Sequence, residues 1–211
     1  EEFGDWIGPV RGDTDVIVSE TRPVPLEQHV LAKGELIPLF DEHSVSEVNR
    51  ELLRLGRGFS SGGSGGRGQG GRGRHRGAPR PRFVGRLDRA AAIDLLEHRN
   101  LLPAIFFIFS RVGCEQAVEQ VRRSGIRLTS REEREQIREI VRQRTATLQD
   151  EDLGVLGFFE WSDNLERGIA AHHAGILPVF KEVVEELFQK KLVKVVFATE
   201  TLALGINMPA R

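Results

Sequence analysis

Three short stretches of the sequence combine side chains that bind anions. Ser110 and Arg111 supply a hydroxyl and a guanidinium, residues 172–175 read His-His-Ala-Gly, and Thr199 supplies a second hydroxyl. These hydroxyl, guanidinium and imidazole groups can donate hydrogen bonds, and a glycine lets another group approach the backbone closely. Together they are suited to contact with phosphate groups.

Each of these stretches directly follows a predicted β-strand. The runs AIFFIF at 104–109, GIAA at 168–171 and KVVFA at 194–198 are short and apolar, which is typical of buried strands. The carboxyl ends of parallel strands meet at one edge of a sheet, where helix N-termini also favour anions. The sequence therefore predicts that the three stretches together contact a phosphate backbone at the carboxyl ends of the strands.

Each residue also has a purely structural explanation, and these alternatives stay open. Ser110 is a common residue type for a helix N-cap, Arg111 is also an ordinary surface charge, and the two histidines are also ordinary strand-end residues. Metal binding by the adjacent histidines is disfavoured, because neighbouring strand residues point to opposite faces.

The rest of the chain predicts an α/β fold. The spacing of apolar residues predicts helices over 87–99, from about 114 to Gly125, over 130–148 with a Ser130–Glu133 capping box, over 152–165, and from Pro178 onward. Alternation of these helices with the strands predicts a parallel sheet with helices on both faces. Upstream, the sequence predicts a β-prone run at 15–20, a hairpin at 29–40 that turns at Lys33-Gly34, and a short helix at 45–55.

Residues 56–82 differ from the rest of the chain in composition. They contain 11 glycines, 7 arginines and no acidic residue, so we predict a disordered insertion. A second interpretation is a Gly/Arg tract that holds a nucleic-acid backbone. The other 184 residues carry 23 basic and 31 acidic side chains, a net charge of −8. The net charge of −1 for the whole chain is the sum of this −8 and the +7 of residues 56–82.

Composition excludes several classes of protein. The net charge of −1 excludes a polybasic nucleic-acid binder, and the single cysteine, Cys114, excludes an intrachain disulfide and suits a reducing, cytoplasmic setting. The sequence has no run of 18 apolar residues, so we expect no membrane span. It begins at Glu1 without a methionine and stops at Arg211 within a predicted structured unit, so we expect a piece of a longer protein.

Several motifs carry a resemblance to one helicase family. The segment ATETLALGINMPAR closely resembles motif V of superfamily 2 helicases, specifically the superkiller-type DExH-box family that includes the exosome-associated RNA helicases. IAAHHAGILP resembles its HHAG element and AIFFIFSR its motif IV. RPVPL resembles the segment that joins the two RecA-like domains, and EFGDW the stretch after motif III. Region 128–168 is most similar to the actinobacterial HelY-type branch. These motifs lie at 198–211, 169–178, 104–111, 22–26 and 2–6.

The resemblance implies a domain organisation and a set of site residues. It implies an inter-domain linker at 1–27, a hairpin and short helix at 28–55, the Gly/Arg insertion at 56–82, and a second RecA-like domain at 83–211 that stops before motif VI. The residues that it implies in contact with nucleic acid are Ser110, Arg111, His173, Gly175 and Thr199. It implies a place in the ATP cleft for Gly205 and Asn207.

The function implied is that of an ATP-dependent helicase acting on single-stranded nucleic acid, RNA rather than DNA. ATP and Mg²⁺ would be held mainly by an upstream RecA-like domain of the same chain. The sequence contains no G-x-x-x-x-G-K-[ST] loop, so we expect this fragment not to hydrolyse ATP alone. Two alternatives are a DNA helicase of the same family and a non-catalytic nucleic-acid-binding module that acts through the Gly/Arg segment.

Overall fold

The computed structural model describes residues 26–41, 46–60 and 88–199. The chain divides into two compact units, Glu1–Gly71 and Arg72–Arg211, which we describe separately. The run at 15–20, most of the Gly/Arg segment and the two cleft residues Gly205 and Asn207 lie outside the described residues.

The first unit contains the predicted hairpin. Strands β1 (His29–Ala32) and β2 (Glu35–Pro38) pair antiparallel, with Ala32 opposite Glu35. The connecting residues Lys33 and Gly34 both have positive φ angles, of 54° and 82°, as expected for a two-residue hairpin turn.

The helix predicted at 45–55 was placed too early. Helix α1 spans Arg50–Ser60, because the residues before it extend the hairpin instead. Val48 forms a bridge with Phe40, and the Asn49 side chain accepts a hydrogen bond of 2.9 Å from the N–H of Glu51. The helix thus includes the first five residues of the Gly/Arg segment.

The second unit is a parallel sheet with helices, which confirms the α/β prediction and is consistent with a RecA-like fold. The described strands β3 (Ala104–Phe107), β4 (Ile169–His172) and β5 (Val195–Ala198) lie in the order β3-β5-β4. The helices are α2 (Arg89–His98), α3 (Arg111–Arg123), α4 (Arg131–Thr145), α5 (Asp150–Val155), α6 (Phe158–Glu166) and α7 (Pro178–Gln189).

Both faces of the sheet are covered. Residues of α2 and α3 pack on one face, against Ile169, Ala171 and Phe197, and residues of α4, α6 and α7 pack on the other, against Ala170 and Val196. The predicted stripe on α3 is buried as Cys114, Ala117, Val118 and Val121. Cys114 is fully buried in the core, and this burial raises the pKa of its thiol.

Two predictions about the second unit were wrong in detail. Strand β3 is shorter than the predicted run 104–109: Ile105 and Phe106 pack against the cores on the two faces of the sheet, but Phe107 is 50% exposed, and Phe109, beyond the strand, is 84% exposed. The single helix at 152–165 is two helices, because Gly157 has a φ angle of 67° and interrupts the helical backbone.

The boundaries of two other helices follow local chemistry as predicted. The Ser130–Glu133 capping box is present at the start of α4, and Pro178 occupies the first turn of α7. Within the described ranges, no helix is both long and apolar enough to span a bilayer.

Candidate nucleic-acid interface

The carboxyl ends of the three strands are level with one another. Phe107 is opposite Ala198, and Ala198 is opposite His172. Just beyond, the N–H of Ile108 donates to the carbonyl of Ala198 over 2.8 Å, and the N–H of Thr199 donates to the carbonyl of His172 over 3.2 Å. The three predicted stretches therefore emerge side by side at one edge, with Thr199 in the middle.

Ser110 is the N-cap of α3. Its Oγ accepts a hydrogen bond of 3.1 Å from the N–H of Gly113, so the structural explanation for this residue is correct. Accepting a bond uses only an oxygen lone pair, and the hydroxyl hydrogen can still be donated to a phosphate oxygen. The cap therefore does not conflict with nucleic-acid contact.

Arg111 and Gly175 lie next to each other, although they come from different loops. A Cβ atom placed on Gly175 would lie 3.7 Å from Cδ of Arg111 and 3.2 Å from Nδ1 of His173. Arg111 itself is exposed at the first turn of α3, where backbone N–H groups and the helix dipole favour anions. The structure thus brings the loop after β3 and the loop after β4 into one site.

His173 holds the turn after β4 in shape. Its Nδ1 accepts a hydrogen bond of 3.1 Å from the N–H of Gly175, and its Nε2 lies 2.7 Å from Oε1 of Glu115. Because a backbone N–H can only donate, Nδ1 carries no proton, and the ring proton on Nε2 is donated to Glu115. Both nitrogens are engaged and the residue is only 5% exposed, so His173 acts on this site through the turn.

Glu115 is a member of this site that the sequence alone did not reveal. It lies on α3 one turn after Arg111, and its carboxylate joins that helix to the turn containing His173 and Gly175. The only signal in the sequence is its spacing of four residues from Arg111, which places both side chains on one helical face.

His172 points to the opposite face of the sheet from His173. Its Nε2 lies 2.8 Å from Oε1 of Glu185 on α7, whereas His173 contacts α3. This divergence is what the alternation of strand residues predicts. In the described ranges, no three histidine, cysteine, aspartate or glutamate residues come close enough to hold a metal ion.

The sequence contains no G-x-x-x-x-G-K-[ST] phosphate-binding loop, and the two residues expected in the ATP cleft, Gly205 and Asn207, lie outside the described residues. Thr199, which is buried at the end of β5, is the last described residue before the segment that carries Gly205 and Asn207.

Comparison with known proteins shows the class to which this α/β domain belongs. The chain belongs to the superkiller-type family of DExH-box helicases, as its motifs predict. It is 53% identical over 216 residues to a protein named probable helicase HelY from Mycobacterium tuberculosis, and the match covers the whole chain and 24% of that relative. No family model matches the chain.

More distant relatives are similar along the whole chain too. The DExH-box ATP-dependent RNA helicase DExH15, chloroplastic, of Arabidopsis thaliana is 38% identical over 236 residues, and the chain covers 20% of it. The human superkiller complex protein 2 is 34% identical over 227 residues, and the chain covers 17% of it. The chain thus spans about a quarter or less of the length of these relatives.

Proposed function

We propose that this chain is part of the motor of an ATP-dependent RNA helicase and contacts the backbone of a single RNA strand. The observation that carries this proposal is that three strand ends lie side by side, with Thr199 at the end of the middle strand and Arg111 next to Gly175. Membership of the helicase family supports the motor assignment, and the Arabidopsis relative, which is named an RNA helicase, supports RNA.

The chemistry of this edge suits the backbone of a nucleic acid rather than its bases. Ser110, Arg111 and Thr199 supply hydrogen-bond donors, and the N-terminus of α3 adds backbone N–H groups. The N–H of Gly175 is donated to His173, and the missing side chain at Gly175 lets the His173 ring and the Arg111 side chain lie close to this turn. Contacts with phosphate fix position and carry no direct sequence information, so we expect little sequence preference.

The first test replaces Arg111. In the full-length protein, Arg111→Ala should weaken oligouridine binding about tenfold, because a charge-assisted hydrogen bond to phosphate is lost. The salt slope of the logarithm of the binding constant should fall by about 0.7, the contribution of one phosphate on a single strand. Both quantities are measured by fluorescence anisotropy at several salt concentrations.

Arg123→Ala is the matched control for this test. Arg123 lies at the other end of α3, is exposed, and pairs with Glu119 on the same helix. Removing it deletes the same charge from the same helix without touching the strand ends. Equal losses of affinity in the two variants would mean that the effect is general electrostatics, and the proposed site would be wrong.

A separate measurement tests whether the full-length protein prefers RNA to DNA. Oligouridine and oligodeoxythymidine of equal length are compared for binding and for stimulation of ATP hydrolysis by the full-length protein. We expect RNA to be preferred. A preference for the deoxy strand would leave the backbone site in place and make the protein a DNA helicase of the same family.

The chain by itself should not hydrolyse ATP. Phosphoryl transfer needs a phosphate-binding loop, Mg²⁺ and a charge-stabilising arginine in one place, and the sequence lacks the loop. Purified chain should therefore show no RNA-stimulated phosphate release above a protein-free blank, under conditions in which the full-length protein is active. Turnover by the chain alone would contradict this prediction.

A non-catalytic binding module is the second candidate function. Its supporting observation is the run of 7 arginines without an acidic residue at 56–82. In this alternative the arginine tract, rather than the sheet edge, provides most of the affinity for nucleic acid. The two candidates differ in what deletion of the tract does.

A further inference from the structure

An exposed aromatic side chain directly precedes the residues proposed to contact the phosphate backbone. Phe109 is 84% exposed, and Ser110 and Arg111 follow it in the chain. Phe109 is not an isolated case, because Phe107 and Val112 are also 50% and 64% exposed. Single apolar residues scattered over a surface are ordinary, whereas a group of them beside a binding site indicates an interaction.

The backbone on both sides of Phe109 is held by hydrogen bonds. The N–H of Ile108 donates to the carbonyl of Ala198 in β5 over 2.8 Å. The N–H of Ser110 donates to the carbonyl of Ile108 over 2.7 Å, which closes a three-residue turn with Phe109 at its centre. Ser110 then caps α3. A ligand that covers the ring of Phe109 therefore finds the backbone already ordered, which lowers the entropic cost of binding.

The charge close to Phe109 in the chain suits an anionic ligand. The first turn of α3 carries Arg111 and no acidic residue, whereas the first turn of α4 carries two glutamates. Glu115, one turn further along α3, directs its carboxylate to His173. The N-terminus of α3 adds the positive end of the helix dipole. A nucleobase is a flat aromatic ligand joined to a phosphate, so it matches an exposed ring that is followed by anion-binding groups.

We propose that Phe109 stacks on a nucleobase of the same strand whose backbone Ser110 and Arg111 contact. This inference rests on the proposed function and adds a contact with the bases to it. The Cα atoms of Phe109 and Ser110 are about 3.8 Å apart, as in any two consecutive residues, so both side chains can contact one nucleotide. Every base has a π face, so stacking adds affinity and no strong sequence preference.

The first test replaces Phe109 in the full-length protein. Phe109→Ala should weaken oligouridine binding about five- to tenfold, as expected for the loss of one base stacked on an aromatic ring. The salt slope of the binding constant should stay the same, because no charge is removed, whereas Arg111→Ala should lower it by about 0.7. Fluorescence anisotropy at several salt concentrations measures both quantities. Unchanged affinity in Phe109→Ala would overturn the proposal.

A strand without bases separates stacking from the backbone contacts. The ligand is an oligomer of equal length and phosphate number whose sugars carry no bases. Phe109→Ala should bind this oligomer as tightly as wild type does, whereas Arg111→Ala should still bind it about tenfold more weakly. Equal losses in Phe109→Ala on both strands would show that Phe109 does not stack on a base. Arg111→Ala without effect on either strand would instead contradict the proposed function, so the two failures can be told apart.

Three substitutions show whether the aromatic face itself is needed. Phe109→Trp keeps an aromatic face and should bind oligouridine at least as tightly as wild type, whereas Phe109→Leu keeps only an apolar side chain and should bind several-fold more weakly. Phe159→Ala is the matched control, because Phe159 is 71% exposed and lies on α6, which contributes no residue to the proposed RNA site. It should change affinity less than about twofold. Wild-type affinity in Phe109→Leu, or an equal loss in Phe159→Ala, would refute stacking at Phe109.

Thermal unfolding tests the other occupant, a protein segment that covers Phe109 in the full-length protein. Replacement of an exposed side chain changes stability little, so the unfolding midpoint of Phe109→Ala should equal that of wild type. Addition of oligouridine should raise the midpoint of wild type more than that of Phe109→Ala, because the variant binds more weakly. A lowered midpoint without RNA, together with unchanged oligouridine affinity, would assign Phe109 to a protein contact and overturn the proposal.

Discussion

Glu115 is a negatively charged side chain within a site proposed to bind phosphate. By charge alone it should oppose nucleic-acid binding. Its carboxylate, however, accepts the ring proton of His173, and the other ring nitrogen holds the N–H of Gly175. This chain of two hydrogen bonds joins α3 to the turn after β4, so Glu115 acts as a positioning residue.

Substitutions at Glu115 separate charge from position. Glu115→Gln keeps an oxygen that accepts from Nε2 of His173 and removes the charge, so oligouridine affinity should be unchanged or higher. Glu115→Ala removes charge and acceptor together, and affinity should fall several-fold although repulsion is also lost. Anisotropy titrations of both variants at one salt concentration make the comparison. Tighter binding by Glu115→Ala would show that only the charge matters.

What the sequence predicts at single residues depends on the range of the interaction. The N-cap at Ser110 could be predicted because its hydrogen-bond partner, Gly113, is only three residues away in the chain. The contact between His173 and Glu115 joins residues 58 positions apart, and it depends on the order of the strands and the rotation of α3. A single sequence carries no local signal for such a contact.

The start of α3 shows how a glycine is required by packing within an element. A Cβ atom on Gly113 would lie 2.8 Å from Cγ2 of Ile108 and 3.2 Å from Cβ of Ser110. In contrast, a Cβ atom on Gly154, in α5, would meet no atom within 4 Å. These two helical glycines form a matched pair.

Alanine at the two positions should have opposite effects on the free energy of unfolding. Gly154→Ala should raise it by about 0.5–1 kcal/mol, because alanine loses less backbone entropy in a helix. Gly113→Ala gains the same term, but overpacking against Ile108 costs about 1–3 kcal/mol, so the net change should be a loss of about 1 kcal/mol. Urea denaturation followed by circular dichroism measures both, and a stabilised Gly113→Ala variant would contradict the packing argument.

Most helices and strands could be predicted because their signals are local. The capping box of α4, the apolar stripe of α3 and the proline of α7 each fixed an element to within a few residues. The start of α1 could not be predicted, because Val48 pairs with Phe40 across the hairpin. The exposure of Phe107 was missed because an apolar run does not reveal whether its strand lies at an edge.

The molecule as a whole separates its charges along the chain. A net charge of −1 hides a segment of 7 arginines and a remainder with a net charge of −8. The residues proposed to contact RNA, Ser110, Arg111 and Thr199 at the carboxyl ends of the strands, form a local group of hydrogen-bond donors within that acidic remainder. Whole-molecule charge therefore does not decide which part of the chain binds nucleic acid, and the two candidate functions are best compared by removing the basic segment.

Deletion of residues 61–82 makes this comparison and leaves α1 whole, since that helix ends at Ser60. The deletion removes 6 of the 7 arginines of the segment. If the residues at the carboxyl ends of the strands provide most of the affinity, as we propose, the deletion should lower oligouridine affinity less than Arg111→Ala does. The salt slope should then stay nearly constant. A variant of full length with glutamine at the same 6 positions controls for the shortened connection.

If the Gly/Arg segment instead provides most of the binding, the expected loss of salt slope can be calculated. Single-stranded nucleic acid contributes a salt slope of about 0.7 for each contacted phosphate, so six arginines in contact would account for a slope of about 4. Loss of a slope of that size in both the deletion and the glutamine variant, with Arg111→Ala nearly silent, would assign nucleic-acid binding to the Gly/Arg segment. The sheet edge would then be a structural feature of the helicase fold in this chain, and the backbone contacts proposed for Ser110, Arg111 and Thr199 would be withdrawn.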